Sequence, residues 1–287
     1  MAENRTLLLM AETGADIPPE LAEKYDLQIV PMHITFGTET KDDGTFPSEE
    51  ICAYYDRTGT LPKTSGSTPE DFARAFDRAH EKWPQAEILH LAYSAATTCS
   101  YQSALIAAEG RDYVKSLDTR VACAGQGAVV LTMARLLEEN PDWDMPRAAE
   151  AAEDLIARVR MSFIPDDLEY LRAGGRVSTA VALAGRVLGI HPLIEFVDGY
   201  LVATKKLRGK LLKLAPQLLR DCAEKQDLDR EELWLIWTPG FPDEVRAAVD
   251  AAAKDLGFRT VNWIKSGGVI TTHAGPSAFG VVGFTKK

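Results

Sequence analysis

Asp167-Leu-Glu-Tyr-Leu-Arg-Ala-Gly-Gly-Arg-Val-Ser178 is the stretch on which the reading of this chain turns. Its pattern predicts a short helix that stops on the paired glycines Gly174 and Gly175 and holds Arg176 out as a fixed cation. A helix C-cap with arginines complementing the dipole would use the same residues. The continuation adds His191-Pro192, an Asp198-Gly199 pair typical of a hairpin turn, and Lys205-Lys-Leu-Arg208, so basic groups recur at turn edges. Near the C-terminus, Thr271-Thr-His-Ala-Gly-Pro-Ser-Ala-Phe-Gly280 sets His273 among hydroxyls and a Gly-bounded turn. A lone histidine is more often structural than functional, but this polar, glycine-bounded setting does not suit a buried apolar role. Both segments suit an anion.

The bulk properties narrow what that anion is. A formal net charge of -10 over 287 residues, without a long basic tract, argues against nucleic acid and against an anionic membrane surface. Positive charge that holds an anion must therefore be local. Cys52, Cys99, Cys123 and Cys222 show no Cys-x-x-Cys spacing, which disfavours a zinc site and fits a reducing compartment. The first apolar run is too short for a signal-peptide core, and no stretch is long enough to span a membrane. A cytoplasmic protein without stable membrane insertion is expected.

Strand-like runs at Leu7–Met10, Gln28–Phe36, Ile88–Tyr93, Val121–Ala124, Leu233–Thr238, Thr260–Ile264 and Phe279–Phe284 alternate with helical segments. The clearest helix opens with Ser67-Thr-Pro-Glu70, read as a capping box, and puts Phe72, Ala75, Phe76, Ala79 and Trp83 on one face. Pro242 to Leu256 closes on Gly257; Tyr101–Val114, Met145–Met161 and Lys210–Glu224 complete the set. The alternation predicts an α/β fold with mainly parallel sheets. Its seam is expected near Phe163-Ile-Pro165, giving an N-terminal α/β lobe over 1–162 and a C-terminal one over 163–287 in extensive contact.

Several loops carry hydroxyls where a strand hands over to a helix. Asp16, ahead of Ile17-Pro18, reads more readily as a helix cap than as a ligand group. Thr64 and Ser65 are not needed to cap the following helix, and they suit a carboxylate contact and a place in solvent equally well. Ser94, Thr97 and Thr98 repeat that chemistry, although a tight turn would also select them. Gly125-Gln-Gly127 is an incomplete dinucleotide fingerprint: it lacks a third glycine and a following ribose-binding acid.

Taken in order, these segments resemble the DegV family along almost the whole chain. The opening Thr-Asp-Ser and Asp-Leu-Pro of that family resemble Glu12-Thr13 and Asp16-Ile17-Pro18. Its Gly-Gly-Arg-Ile-Ser turn resembles Gly174 to Ser178, and its Thr-His-x-Gly close is similar to Thr272-His273-Ala-Gly275. Gly66-Ser67 departs from the family's Gln before proline, His191 stands for a lysine and Ser277 for a glycine. The family's Ser-Ser-Gly-Leu-Ser-Gly run has become Tyr93 to Ser100, two residues longer, so the hydroxyl of 94–100 that meets a carboxylate stays open.

The resemblance implies a two-domain DegV-like fold that binds a long-chain fatty acid and serves as the carrier subunit of a bacterial fatty acid kinase. No catalytic residue, metal or cofactor of its own is implied. Thr64, Ser65, Ser94, Thr97, Thr98 and His273 would hold the head group, and Arg176, Arg208 and His273 would face the ATP-dependent kinase that makes the acyl phosphate. A transferase or hydrolase of a small acylated or phosphorylated substrate, centred on His273 and Arg176, is the alternative. It needs a nucleophile and an oriented base that no recognised arrangement supplies. A nucleotide-binding regulator fits least.

Overall fold

The apolar runs Leu7–Glu12 (β1) and Glu87–Ala92 (β6) are buried almost throughout, as strands covered on both faces require. The structure, a computed structural model, describes residues 6–166, 168–175 and 190–287. With Gln28–Val30 (β2) and Val114–Asp118 (β7), β1 and β6 form a parallel four-stranded sheet in the order β2-β1-β6-β7. A small antiparallel sheet beside it is built from His33–Phe36 (β3), Glu39–Asp42 (β4) and Lys63–Ser65 (β5), with Thr64 opposite Ile34. Around these lie Pro19–Lys24 (α1), Glu49–Thr58 (α2), Pro69–Lys82 (α3) and Ser100–Ala108 (α4).

Helix α3 buries the expected face, Phe72, Ala75, Phe76 and Ala79, against Leu8, Met10 and Ile88. Its capping box is made one residue later than the sequence reading places it, by Thr68 and Asp71. Ser67 is occupied elsewhere, donating its hydroxyl to the Pro31 carbonyl at 2.7 Å.

The helix that organises the molecule is Cys123–Glu139 (α5), which the sequence pattern does not show. It packs on β1 and β6 on one side and on three strands of a second sheet on the other. A helix covered all round carries no amphipathic stripe. The strand expected at Val121–Ala124 is the turn into α5, with Arg120 and Cys123 both at positive φ. The helix expected to reach Val114 stops at Ala108, leaving Val114–Asp118 to form β7.

After Met145–Arg158 (α6), the chain enters a six-stranded sheet with Val159–Ile164 (β8). Ile190–Val197 (β9), Tyr200–Arg208 (β10), Glu232–Trp237 (β11), Thr260–Lys265 (β12) and Phe279–Phe284 (β13) complete it in the order β10-β9-β8-β13-β11-β12. The expected seam between 162 and 163 falls inside β8, whose register with β13 runs from Val159 to Ile164. Only β11 and β12 pair in parallel here; the other pairs are antiparallel, against the expectation of mainly parallel sheets. The β9–β10 hairpin turns at Asp198-Gly199, both at positive φ as that two-residue turn demands.

Glu169–Ala173 (α7), Leu211–Lys225 (α8), Asp243–Asp255 (α9) and Gly268–Ala274 (α10) decorate this second sheet. Its outer face packs on α8 and α9 through Leu218, Leu219, Val245 and Val249. Its inner face joins Leu9, Leu89 and the α5 side chains in one core shared by both halves.

Candidate functional site

Loops at the carboxyl ends of β1, β6 and β7 face the inner surface of the six-stranded sheet, and a cavity lies between them. Open α/β sheets place ligands at this edge. Met161, Phe163, Phe196, Leu201, Ile236 and Phe279 supply much of its apolar wall; Thr64, Ser65, Thr97, Thr98 and His273 also line it. The space between these atoms is about 810 Å³, its open mouth included. The polar residues are brought together by contacts across the chain. Thr64 Oγ1 lies 2.8 Å from His273 Nε2. Two residues on, Gly66 packs so tightly that an added Cβ would stand 2.6 Å from Thr98 Oγ1.

His273 owes its position to both ends of α10. At the N-terminal end, Gly267 N–H donates to Asp16 Oδ1 at 2.7 Å and Gly268 N–H donates to Asp43 Oδ1 at 2.8 Å. Carboxyl oxygens suit these otherwise unpartnered amides. Within the helix, Thr272 donates to the Gly268 carbonyl and the Thr271 hydroxyl meets Ser266, and neither residue lines the cavity. At the C-terminal end, Gly275 turns the chain at φ 73, and a Cβ there would stand 2.6 Å from the Tyr170 ring. On the facing turn, a Cβ on Gly174 would stand 2.2 Å from His273 Nδ1. The Gly174-Gly175 turn and the His273 segment, far apart in sequence, interlock glycine against ring.

Asp16 does not cap the helix that follows it, whose N-cap is Pro18, and it is not among the cavity-lining residues. It sits at φ 52 and crosses between the halves of the molecule, accepting from Gly267 and from the Cys123 thiol at 3.1 Å. Burial, with the nearby Asp43 carboxylate, pushes its pKa up to about 8. Burial also raises Asp43, and burial together with Asp16 holds the Cys123 thiol well above its ordinary range. The sequence holds one signal of this clamp, the Gly267-Gly268 pair, which leaves room for carboxylates at the helix start. Another buried acid, Glu12, is pushed up by burial but held below its usual range overall by His90, Gln126 and the Tyr93 N–H.

The remaining predicted residues have different fates. Ser94 is fully buried and donates its hydroxyl to the Gly199 carbonyl at 2.8 Å, fastening the β9–β10 hairpin to the loop after β6. It is not one of the cavity-lining residues. Arg208 lies exposed at the end of β10, away from the cavity-lining set. Arg176 and Ser178 lie outside the described residues. Gly127 serves packing: a Cβ would stand 2.6 Å from the Ala15 carbonyl oxygen, so α5 can approach the β1 loop only with glycine there. Among the described residues, no helix is long and apolar enough to cross a membrane.

Two α/β lobes sharing one core, with an apolar cavity between them that ends in hydroxyls and an imidazole, define a class of ligand-binding protein. A family model described as "Uncharacterised protein, DegV family" matches residues 6–286, and the chain belongs to that family. A DegV domain-containing protein of Deinococcus radiodurans is 29% identical over 283 residues, covering 96% of this chain and 97% of its own. A solved structure from Thermus thermophilus, described as showing fatty acid binding of a DegV family protein, superposes with a TM-score of 0.86 at 26% identity, covering 98% of this chain and all of that one. The Streptococcus pneumoniae Fatty Acid Kinase (Fak) B3 protein loaded with linoleic acid shares the fold, with a TM-score of 0.85 at 16% identity and coverage of 98% and 100%.

Proposed function

We propose that this chain binds a long-chain fatty acid, burying the acyl tail in the cavity between its lobes and holding the carboxylate at the Thr64–His273 end. The observation that carries the reading is an apolar cavity with Thr64, Thr98 and His273 gathered in its wall. An acyl chain of about fourteen methylenes gains on the order of 11 kcal/mol when removed from water. Association then costs several kcal/mol in lost freedom. The tail supplies the affinity, and the head group sets orientation. Hydroxyls and an imidazole suit this task, because a carboxylate buried without partners would take up a proton.

The carboxylate so held is the substrate of a separate ATP-dependent kinase, and the chain itself contributes no chemical step. Family membership and the fold shared with the Fak B3 protein support this role. Arg176 and Arg208 serve the kinase, so Arg176→Ala keeps fatty acid binding and loses acyl-phosphate formation. Native mass spectrometry of protein purified from bacteria tests the binding reading: one fatty acid per chain is expected. A chain that is empty and ignores added palmitate and oleate refutes it.

A further inference from the structure

On the inner face of the six-stranded sheet, Phe163, Gly280 and Ile236 form one cross-strand row, and the two large side chains close in over the glycine between them. A Cβ on Gly280 would stand 2.8 Å from Ile236 Cγ2 and 3.0 Å from Phe163 Cβ. The neighbouring row is different. Ser162 pairs with Glu195 across β8 and β9, so the next step sets Met161 opposite Phe196, which in turn pairs with Leu201 on β10. Side chains directly opposite on one face of a sheet touch. Leu201, Phe196 and Met161 therefore form a second row, of large side chains throughout, and all three line the cavity.

Behind this row lies a groove of about 1,840 Å³, open to solvent. Its apolar floor includes Leu117, Val121 and Val159, and Arg120, Arg160 and Glu195 also line it. Met161 and Phe196 line both spaces. They are the partition between the cavity and the groove. Met161 is also a deformable partition. Its sulfur rests against Gly125, where a Cβ would stand 3.1 Å from Sδ, and an unbranched thioether has rotamers to spare.

We propose that Met161 and Phe196 set the upper limit of acyl-chain length: a tail that fits the cavity stops against them, and a longer tail must displace them to run into the groove beyond. This inference rests on the fatty acid reading given above. It makes the pair a specificity determinant with no part in holding the carboxylate, so the two properties separate in experiment.

The test uses delipidated full-length protein and a series of saturated acids from lauric to behenic, with dissociation constants measured by displacement of a fluorescent fatty acid. Phe196→Ala opens the partition from the groove side, where the residue is only half-buried. Met161→Val opens it with a small loss of volume, and Phe196→Trp closes it further. In the wild-type chain, affinity rises with length and then falls. The opening variants are expected to move that fall to longer acids, with a gain of about tenfold for the first acid past the limit, the return on about two more buried methylenes. Phe196→Trp moves it to shorter acids and keeps the inference testable should an opening variant fail to fold. An unchanged limit in variants that fold overturns the inference while the fatty acid reading stands. A wild-type chain that binds none of the acids overturns both.

Discussion

Replacing Gly174 with alanine puts a single methyl group where His273 now stands. At φ -77 and ψ -4, Gly174 has a backbone that alanine adopts without strain, so the effect must come through the contact. The new Cβ would lie 2.2 Å from Nδ1 and 2.7 Å from Cε1 of His273, while carbon atoms rest comfortably at roughly 3.5 Å or more. The ring must shift by roughly 1 Å, which is enough to spoil the 2.8 Å Thr64–His273 bond on its Nε2 side, by length or by angle. Loss of that bond costs about 0.5–1.5 kcal/mol. An off-rotamer imidazole adds about as much. Together these predict about 1–3 kcal/mol of destabilisation, read as a fall of roughly 6 °C in the thermal midpoint. Fatty acid affinity is expected to fall roughly tenfold.

The neighbouring glycine supplies the control. Gly175 sits at φ +72, and among the described residues no atom beyond its chain neighbours lies within 4 Å of the place its Cβ would take, so alanine there costs about 1 kcal/mol of backbone strain and leaves His273 untouched. Differential scanning calorimetry and fatty acid displacement on both variants distinguish contact from strain. Wild-type affinity in Gly174→Ala, or an equal loss in Gly175→Ala, refutes the interlocking of turn and imidazole.

Other outcomes follow from the same geometry. Thr64→Val removes the hydroxyl while keeping the shape, and isothermal titration should show fatty acid binding weakened by about two- to tenfold, with no change in the bound chain-length preference. Gly127→Ala drives a methyl to 2.6 Å from a backbone oxygen that cannot swing away; α5 must shift, and chemical denaturation should register a loss of about 1–3 kcal/mol. For pH, the folded chain holds a proton on Asp16 that the unfolded chain has released between about pH 4 and about pH 8, so stability falls as pH rises through that window. Asp43, raised by burial, acts in the same direction. So does His33, which burial lowers but Asp71 and Asp42 raise overall, at the neutral end. Glu12 and Asp71 are held low and oppose this only in the acid range. Asp16→Asn should flatten the fall in thermal midpoint between pH 5 and pH 9; an unchanged slope counts against the buried clamp.

Much of this molecule is written locally. The period of Phe72, Ala75, Phe76 and Ala79, the apolar runs of β1 and β6, the Asp198-Gly199 turn and the stop at Gly257 each follow from rules that act over a few residues, and each is legible without coordinates. Thr64 and His273 stand out as polar groups that no local structure requires. What the sequence does not display are features whose partners lie far along the chain. Helix α5 shows no stripe because both of its faces are buried, one against each sheet. Ser94 has the chemistry of a ligand group and is a fastener for the Gly199 carbonyl. Asp16 has the setting of a cap and is a buried clamp on Gly267. The expected seam falls within β8 because the helical pattern of α6 reads on into the strand without a break, and only pairing with β13 separates them. Side-chain patterns are local, but burial and hydrogen-bond partnership are set by what the rest of the chain brings near, and the cavity exists only where those distant segments meet.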